Sequence, residues 1–569
     1  VRRKLSTYTL SQWFTLILAL LFAVPVLAVV LHLFEPASDN WQHLSSTVLP
    51  QYIANSLYLM VGVGLVTLFI GALTAWLVVM YDFPGRGIFE WALILPLAVP
   101  AYVMAYAYTD FFQFSGPFQT FVRGVMDWGA RDWRLANIRS SGGAVVVFSA
   151  ALYPYVYLIA RAAFMQQSGG ILEAARTLGS SGRDLFLRVG FPAARPALAA
   201  GVALVLMETL ADFGTVSFFG VPTFTTGIYR TWFSLGDQVA AAQLATMLLG
   251  FVMLLLALER WSRGKRRFDS GRSTHRDQAR VKLRGGRGLL AMTACALPLL
   301  LGFVLPATVL ALMAARLEGT VLDGRFFELV LNTVGLGGIA ALLAIMFGLT
   351  VVFALRQFAG RSGGVLIRLA ARIAGVGYAI PGSIIAVGVL IPFAAMDRGL
   401  NSFMQAQFGL STGLFLTGGI VALIFAYLVR FLSVSMQTLE AGYARIRPNM
   451  DGAAYSLGAG AGRVLREIHL PLLRGSILTA FLMVFVDVMK ELPATLIMRP
   501  FNFDTLAVTA HNYAADERLA EAAIPALSIV IVGLLPVLIL SRMISAGGSR
   551  GAEVGDQHVN SLATEENSI

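Results

Sequence analysis

Glu173-Ala174-Ala175, three residues, Gly179, nine residues, Val189, one residue, Phe191-Pro192 is a spacing that this chain uses twice. The second copy reads Gly452-Ala453-Ala454, three residues, Gly458, nine residues, Ile468, one residue, Leu470-Pro471, with every position displaced by the same 279 residues. Arg195 and Arg474 carry that offset past the prolines. Two halves of one chain therefore repeat each other. Within each copy the Ala-Ala pair and Leu178 or Leu457 favour a short helix, Gly179 or Gly458 permits a sharp turn, and the proline starts the next helix from its first turn. Each copy is a hydrophilic helical elbow between apolar runs. That shape suits docking, and an ordinary interhelical loop has no reason to recur with identical spacing.

The flanking runs put the elbows at a membrane. Of the 569 residues 57% are hydrophobic and 13% charged, with mean hydropathy +0.73, too apolar for an ordinary soluble chain. Windows of span length fall near 16–33, 56–80, 91–111, 143–165, 197–219 and 239–258. Six more fall near 289–313, 330–355, 374–395, 413–435, 475–497 and 522–544. The fold class is all-α, a polytopic membrane protein of about 12 transmembrane helices in two homologous six-helix halves. The halves occupy 1–259 and 288–546, with elbows at 172–192 and 451–471. A basic linker at 260–287 joins them, and a polar tail at 547–569 reads as disordered.

Charge orients this layout. Arg2, Arg3 and Lys4 precede a first run that is long and lacks a clean cleavage site, so it reads as a retained span. The linker carries eleven Lys or Arg from Arg260 to Arg287 against Asp269 and Asp277, which makes it cytoplasmic by the positive-inside rule. Both termini and both elbows follow it to that side. Arg356, Arg361, Arg368 and Arg372 agree. The segment from Gln113 to Ser141 runs against the rule with Arg123, Arg131, Arg134 and Arg139; with Trp128 and Trp133 it reads as an interfacial helix on the outer surface. The net charge of +11 is thus explained by lipid topology and calls for no nucleic acid. Cys295 is the single cysteine, which excludes an intramolecular disulfide and a Cys-rich metal site.

The repeat extends beyond the elbows. Asn55-Ser56-Leu57 pairs with Asn332-Thr333-Val334, and Leu95 to Pro100 pairs with Gly377 to Pro381. Pro100 and Pro381 free backbone carbonyls inside apolar runs, which suits either a packing kink or a pathway lining. After each elbow stands a carboxylate pair, Glu208 with Asp212 and Asp487 with Glu491, Lys490 lying beside the last. Each pair is spaced i, i+4 and is expected on one helical face. Counted from the prolines, Glu208 and Asp487 lie about 24 Å along their helices, toward the outer side. Charges facing lipid cost roughly 2.5–3.5 kcal/mol each, so these must face a wet cavity, pair with Lys490 or Arg499, or bind a cation. Three readings stand side by side: salt bridges and caps at outer helix ends, a pathway for a cationic solute with Glu208, Asp212, Asp487 and Glu491 as transient metal contacts, and a proton relay. A hard trivalent metal would suit all-oxygen ligands.

The elbow resembles the EAA loop of the inner-membrane permeases of binding-protein-dependent ABC importers, with Gly452 at the family's usual Glu and Asp451 one position earlier. Asp487-Val488-Met489-Lys490-Glu491-Leu492-Pro493-Ala494-Thr495, Arg499 to Leu506, Pro100 to Tyr106 and Glu208 to Gly214 resemble the fused ferric-iron importer permeases in particular. The resemblance covers nearly the whole chain. It implies coupling through Glu173, Ala174, Ala175, Leu178 and Gly179 in the first elbow and through Asp451, Ala453, Ala454, Leu457 and Gly458 in the second. It implies two copies of a cytoplasmic ABC ATPase, a periplasmic solute-binding protein, and a place in the bacterial inner membrane. It also implies Fe(III) import by alternating access, while thiamine and sulfate permeases share the elbow. ATP and Mg are expected on the partner, and no cofactor on this chain: no Walker-type Gly-rich loop occurs, Gly264-Lys265 being followed by Arg266. No nucleophile or His-Glu-x-x-His cluster suggests an enzyme. His469 is expected on a solvated face. A secondary transporter without ATPase is the alternative class, and the elbow pair argues against it.

Overall fold

The computed structural model describes residues 10–36, 39–166, 177, 179, 181–263, 280–317, 324–358 and 364–539. Glu173, Ala174, Ala175 and Leu178 of the first elbow, most of the basic linker and the tail lie outside them. Eleven described helices are long and apolar enough to cross a membrane. In chain order they are Leu10–Phe34, Asn40–Met80, Ser141–Gln166, Gly182–Ala211, Gln238–Ser262, Gly286–Ala315, Gly324–Gln357, Gly382–Phe408, Ile420–Tyr443, Ala461–Met489 and Leu519–Ile539.

The expected single helix over 91–111 is broken instead. Arg86–Ala98 and Ala101–Met126 meet at 94°. Pro100 has no N–H to continue the ladder, and Val99 before it is extended. The second half repeats the break: helix Gly364–Ala374, a turn at Gly377–Ala379, then Pro381 and helix Gly382–Phe408. A Cβ on Gly377 would come within 1.7 Å of the Val429 carbonyl oxygen, so only glycine lets this turn lie against the neighbouring helix. Helix Pro117–Met126 follows the first break and leaves Phe121, Val125 and Met126 more than half exposed, while Arg123 stacks 4.5 Å from the Phe114 ring.

Four spans also carry a wide turn of π-helix, at Leu44–Val48, Leu185–Gly190, Leu300–Val304 and Leu465–His469. Each lies just ahead of a proline: Pro50, Pro192, Pro306 or Pro471. A proline cannot donate to the carbonyl four residues back, and the ladder widens locally to absorb the vacancy.

The halves interlock. Helix Leu10–Leu31 packs on second-half helices Gly324–Gln357, Gly364–Ala374 and Gly382–Phe408, with Phe14 against Phe347 and Phe22 against Phe425 at 5.2 and 5.7 Å between ring centroids. In return, Gly286–Ala315 packs on the first half, where the Tyr108 hydroxyl donates to the Leu301 carbonyl at 2.9 Å. Leu519–Ile539 joins the same cluster, and Gly533 lies against Ala98. Both hydrophobic clusters thus mix residues of the two halves. A parallel two-residue ladder, Tyr81–Asp82 with Val281–Lys282, ties the end of the basic linker beneath the first half.

Candidate functional site

The carboxylate pairs do not share a helical face. Helix Phe191–Ala211 stops between Glu208 and Asp212, and helix Leu470–Met489 stops between Asp487 and Glu491. The second acid of each pair turns onward to cap a short helix. Asp212 accepts from the backbone N–H groups of Thr215 and Val216 at 2.8 and 3.3 Å and from the Thr215 hydroxyl at 3.1 Å. Glu491 accepts from the N–H groups of Ala494 and Thr495, both at 3.0 Å, and from the Thr495 hydroxyl at 2.7 Å. The cause is local: Pro493 cannot extend the helix, and Gly214 sits so close to Tyr102 and Leu492 that a Cβ would come within 2.7 Å of either.

The breaks nevertheless bring all four carboxylates to one place. A cavity of about 130 Å³ at the seam between the halves is lined by Glu208, Asp212, Asp487, Lys490 and Glu491, together with Pro100, Tyr102, Tyr155, Tyr378 and Arg430. Pro100 lines it. Pro381 is buried beside it, where Gly382 abuts Arg430 and Glu491. Arg430 donates to Glu491 at 2.9 Å, and Lys490 lies 2.8 Å from Asp487. Arg499 pairs with Asp504 rather than with a cavity carboxylate. Glu208 faces the cavity without a hydrogen bond or close ion pair among the described residues. No three His, Cys, Asp or Glu side chains among those residues come together closely enough to hold a metal ion, so the four acids do not form one ligand set.

A second cavity of about 160 Å³, mostly apolar, shares Leu97, Tyr155, Tyr378, Asp487 and Lys490 with the first. Its other walls include Thr479, Leu482 and Met483, which precede Asp487 on the helix rising from the second elbow. It lies on the elbow side. At the opposite end, two asparagines matched in the repeat hold the connections that follow the short helices: Asn55 donates to the Pro222 carbonyl at 2.8 Å, and Asn332 to the Asp504 carbonyl at 3.2 Å.

The elbows keep the expected turns. Gly179 and Gly458 adopt φ of +83° and +81°, and at neither would a Cβ meet another atom of the described residues within 4 Å. Helix Pro448–Ser456 carries the second elbow, with Ala454 buried, Ala453 exposed and Leu457 88% exposed. His469 is not on a solvated face. It is 1% exposed, with its Nε2 3.0 Å from Asp451 and its Nδ1 3.3 Å from the Tyr443 hydroxyl. Asp451 also accepts from Arg356 at 2.7 Å, so its carboxylate is turned inward as an anchor. Burial pushes the Asp451 carboxyl up, but hydrogen bonds from Arg356 and His469 outweigh it and hold the group below the ordinary carboxylate range. In the first half Gly190 stands at the place of His469, packed on Trp76, which in turn lies 5.2 Å from Phe164 and Phe186. Six of the long apolar helices separate the elbows, an even number, which is what elbows on one side of a membrane require.

Reasoning from carboxylates alone passes over Arg430, Tyr102, Tyr155 and Tyr378. Arg430 had a signal of its own, a lone charge inside an apolar run. The tyrosines had none.

Residues 67–262 match the family of binding-protein-dependent transport system inner membrane components. The chain is 26% identical to Fe(3+)-transport system permease protein FbpB 2 of Haemophilus influenzae, over 93% of this chain and 98% of that one. It is 24% identical to the ferric transport system permease protein FbpB of Actinobacillus pleuropneumoniae, over 86% of this chain and 70% of that one. To the sulfate transport system permease protein CysW of Escherichia coli it is 30% identical, over 36% of this chain and 70% of that one.

Proposed function

The chain belongs to the family of binding-protein-dependent transport system inner membrane components, and from that premise we propose that it carries Fe(III), bare or as a complex, through the cavity between its halves. It is the multi-pass permease subunit of an ABC importer and not itself the ATP-hydrolysing enzyme. Two copies of a cytoplasmic ATPase would grip the elbows around Ala174 to Gly179 and Ala453 to Gly458. A periplasmic receptor would deliver the solute at the opposite end, placing the chain in a bacterial inner membrane with both termini cytoplasmic. ATP binding would draw the elbows together and tilt the halves, and hydrolysis would reverse the tilt, an alternation driven by differential affinity for two states.

The observation that carries the solute assignment is the cavity lining: four acidic side chains and two basic ones surround it, an oxygen-rich wall suited to a hard cation. Because the acids do not form one ligand set, they serve as successive contacts. The full-length likeness to proteins described as ferric permeases supports the same reading.

Uptake of labelled iron, thiamine and sulfate into vesicles holding the permease, its ATPase and its receptor tests it. Iron should accumulate with ATP, and Glu208→Gln with Asp487→Asn should lower the rate at least about tenfold at unchanged assembly. Uptake of thiamine or sulfate in place of iron, or a wild-type iron rate in the double variant, contradicts the assignment.

A further inference from the structure

The two halves place their carboxylates alike but not their cations. Asp487 matches Glu208 and Glu491 matches Asp212, whereas Lys490 and Arg430 are matched by Ala211 and Ala151. The second-half acids are each paired, at 2.8 and 2.9 Å, whereas neither first-half acid makes a salt bridge among the described residues.

The two pairs are not equivalent. Arg430 and Glu491 are 12% and 2% exposed, and Glu491 is locked further by Ala494 and Thr495, whose hydroxyl also meets that of Tyr427 at 2.6 Å. That pair is part of the framework. Lys490 is 30% exposed, and among the described residues its ammonium makes a salt bridge with Asp487, with Glu208 and Tyr155 also within electrostatic reach. Its flexible four-carbon stem lets the charge swing away at little steric cost. Lys490 and Asp487 also belong, with Leu97, Tyr155 and Tyr378, to the wall between the charged cavity and the apolar one on the elbow side.

We propose that Lys490 is a built-in counter-ion: it occupies Asp487 while the cavity is empty, and a cargo cation arriving at Glu208 and Asp212 displaces it, which frees Asp487 as the next contact and loosens the wall. Like charges confined in a cavity of low effective dielectric repel far more strongly than in water, which supplies the displacing force. The tethered ammonium then returns to Asp487 and discourages the cation from lingering. The inference rests on reading the cavity as a cation pathway, and its test does not use iron.

Terbium(III), a hard trivalent cation excited through nearby tyrosines, is the probe, titrated into full-length permease in nanodiscs while Tyr102, Tyr155 and Tyr378 act as donors. Lys490→Gln should bind terbium about tenfold more tightly than wild type, because one positive charge has left the cavity. Lys490→Arg should bind as wild type, and adding Glu208→Gln to Lys490→Gln should remove the gain. Unchanged affinity in Lys490→Gln, a Lys490→Arg variant that behaves like Lys490→Gln, or no terbium bound by any variant overturns the proposal. Should Lys490→Gln fail to fold, Asp487→Asn decides: freeing Lys490 should weaken terbium binding, and unchanged binding overturns it. Failure of iron uptake with the terbium pattern intact would sink only the choice of iron.

Discussion

Arg430 and Glu491 are both buried within the helical bundle, and each is the other's ion-pair partner at 2.9 Å. Such a pair adds little net stability over an apolar pair of similar size, but removing one member strands the other. Arg430→Met should therefore destabilise the permease by about 3–5 kcal/mol, read as a lowered thermal midpoint in detergent, and Arg430→Met with Glu491→Met should recover most of the loss. A single variant no less stable than the double one contradicts this account of the pair. At this scale the sequence was half legible. The carboxylates of Glu208, Asp212, Asp487 and Glu491 stand out because Lys490 is the one other charge in their runs. Their roles do not stand out, since i, i+4 spacing describes a helix that continues, and both helices stop within the spacing. The inward turn of Asp451 was hidden for a similar reason: its partner Arg356 lies 95 positions away in sequence and belongs to another span.

Prolines and glycines decide the elements. Four π-helical turns ahead of Pro50, Pro192, Pro306 and Pro471, and two breaks at Pro100 and Pro381, have one cause, a missing N–H within a helical run. Hydropathy located nearly every span, because twenty or so apolar residues leave few alternatives. It could not show that the run over 91–111 bends by 94°, since a window average does not see one proline. The elbow glycines were legible from spacing, and the left-handed φ at Gly179 and Gly458 gives the physical reason for glycine there. A side chain at either costs about 1–2 kcal/mol of backbone strain and clashes with nothing among the described residues. Gly179→Asp with Gly458→Asp should consequently leave the permease assembled in the membrane at normal abundance and abolish solute-coupled ATPase activity. Normal coupling in the double variant would show that the elbows are not the handles proposed.

Seen whole, the molecule is two repeated halves that have exchanged their first spans: Leu10–Leu31 lies on the second half and Gly286–Ala315 on the first. No hydropathy pattern carries that information, because an apolar helix reports its length and not its neighbour. The exchange ties the halves together around the seam that holds the cavity. An even number of long apolar helices lies between the elbows, as the proposed grip by a motor on one side of the membrane requires. The proposed grip of the motor on these elbows can be tested directly on this chain. Cys295 is the single cysteine and is buried, and Leu457 at the tip of the second elbow is 88% exposed. A Leu457→Cys permease, assembled with its ATPase and treated with a short thiol-reactive cross-linker, should yield a covalent adduct with the ATPase subunit whose amount changes when ATP is added. Labelling of that cysteine by a membrane-impermeant reagent from the periplasmic side, with no ATPase adduct, would contradict the account.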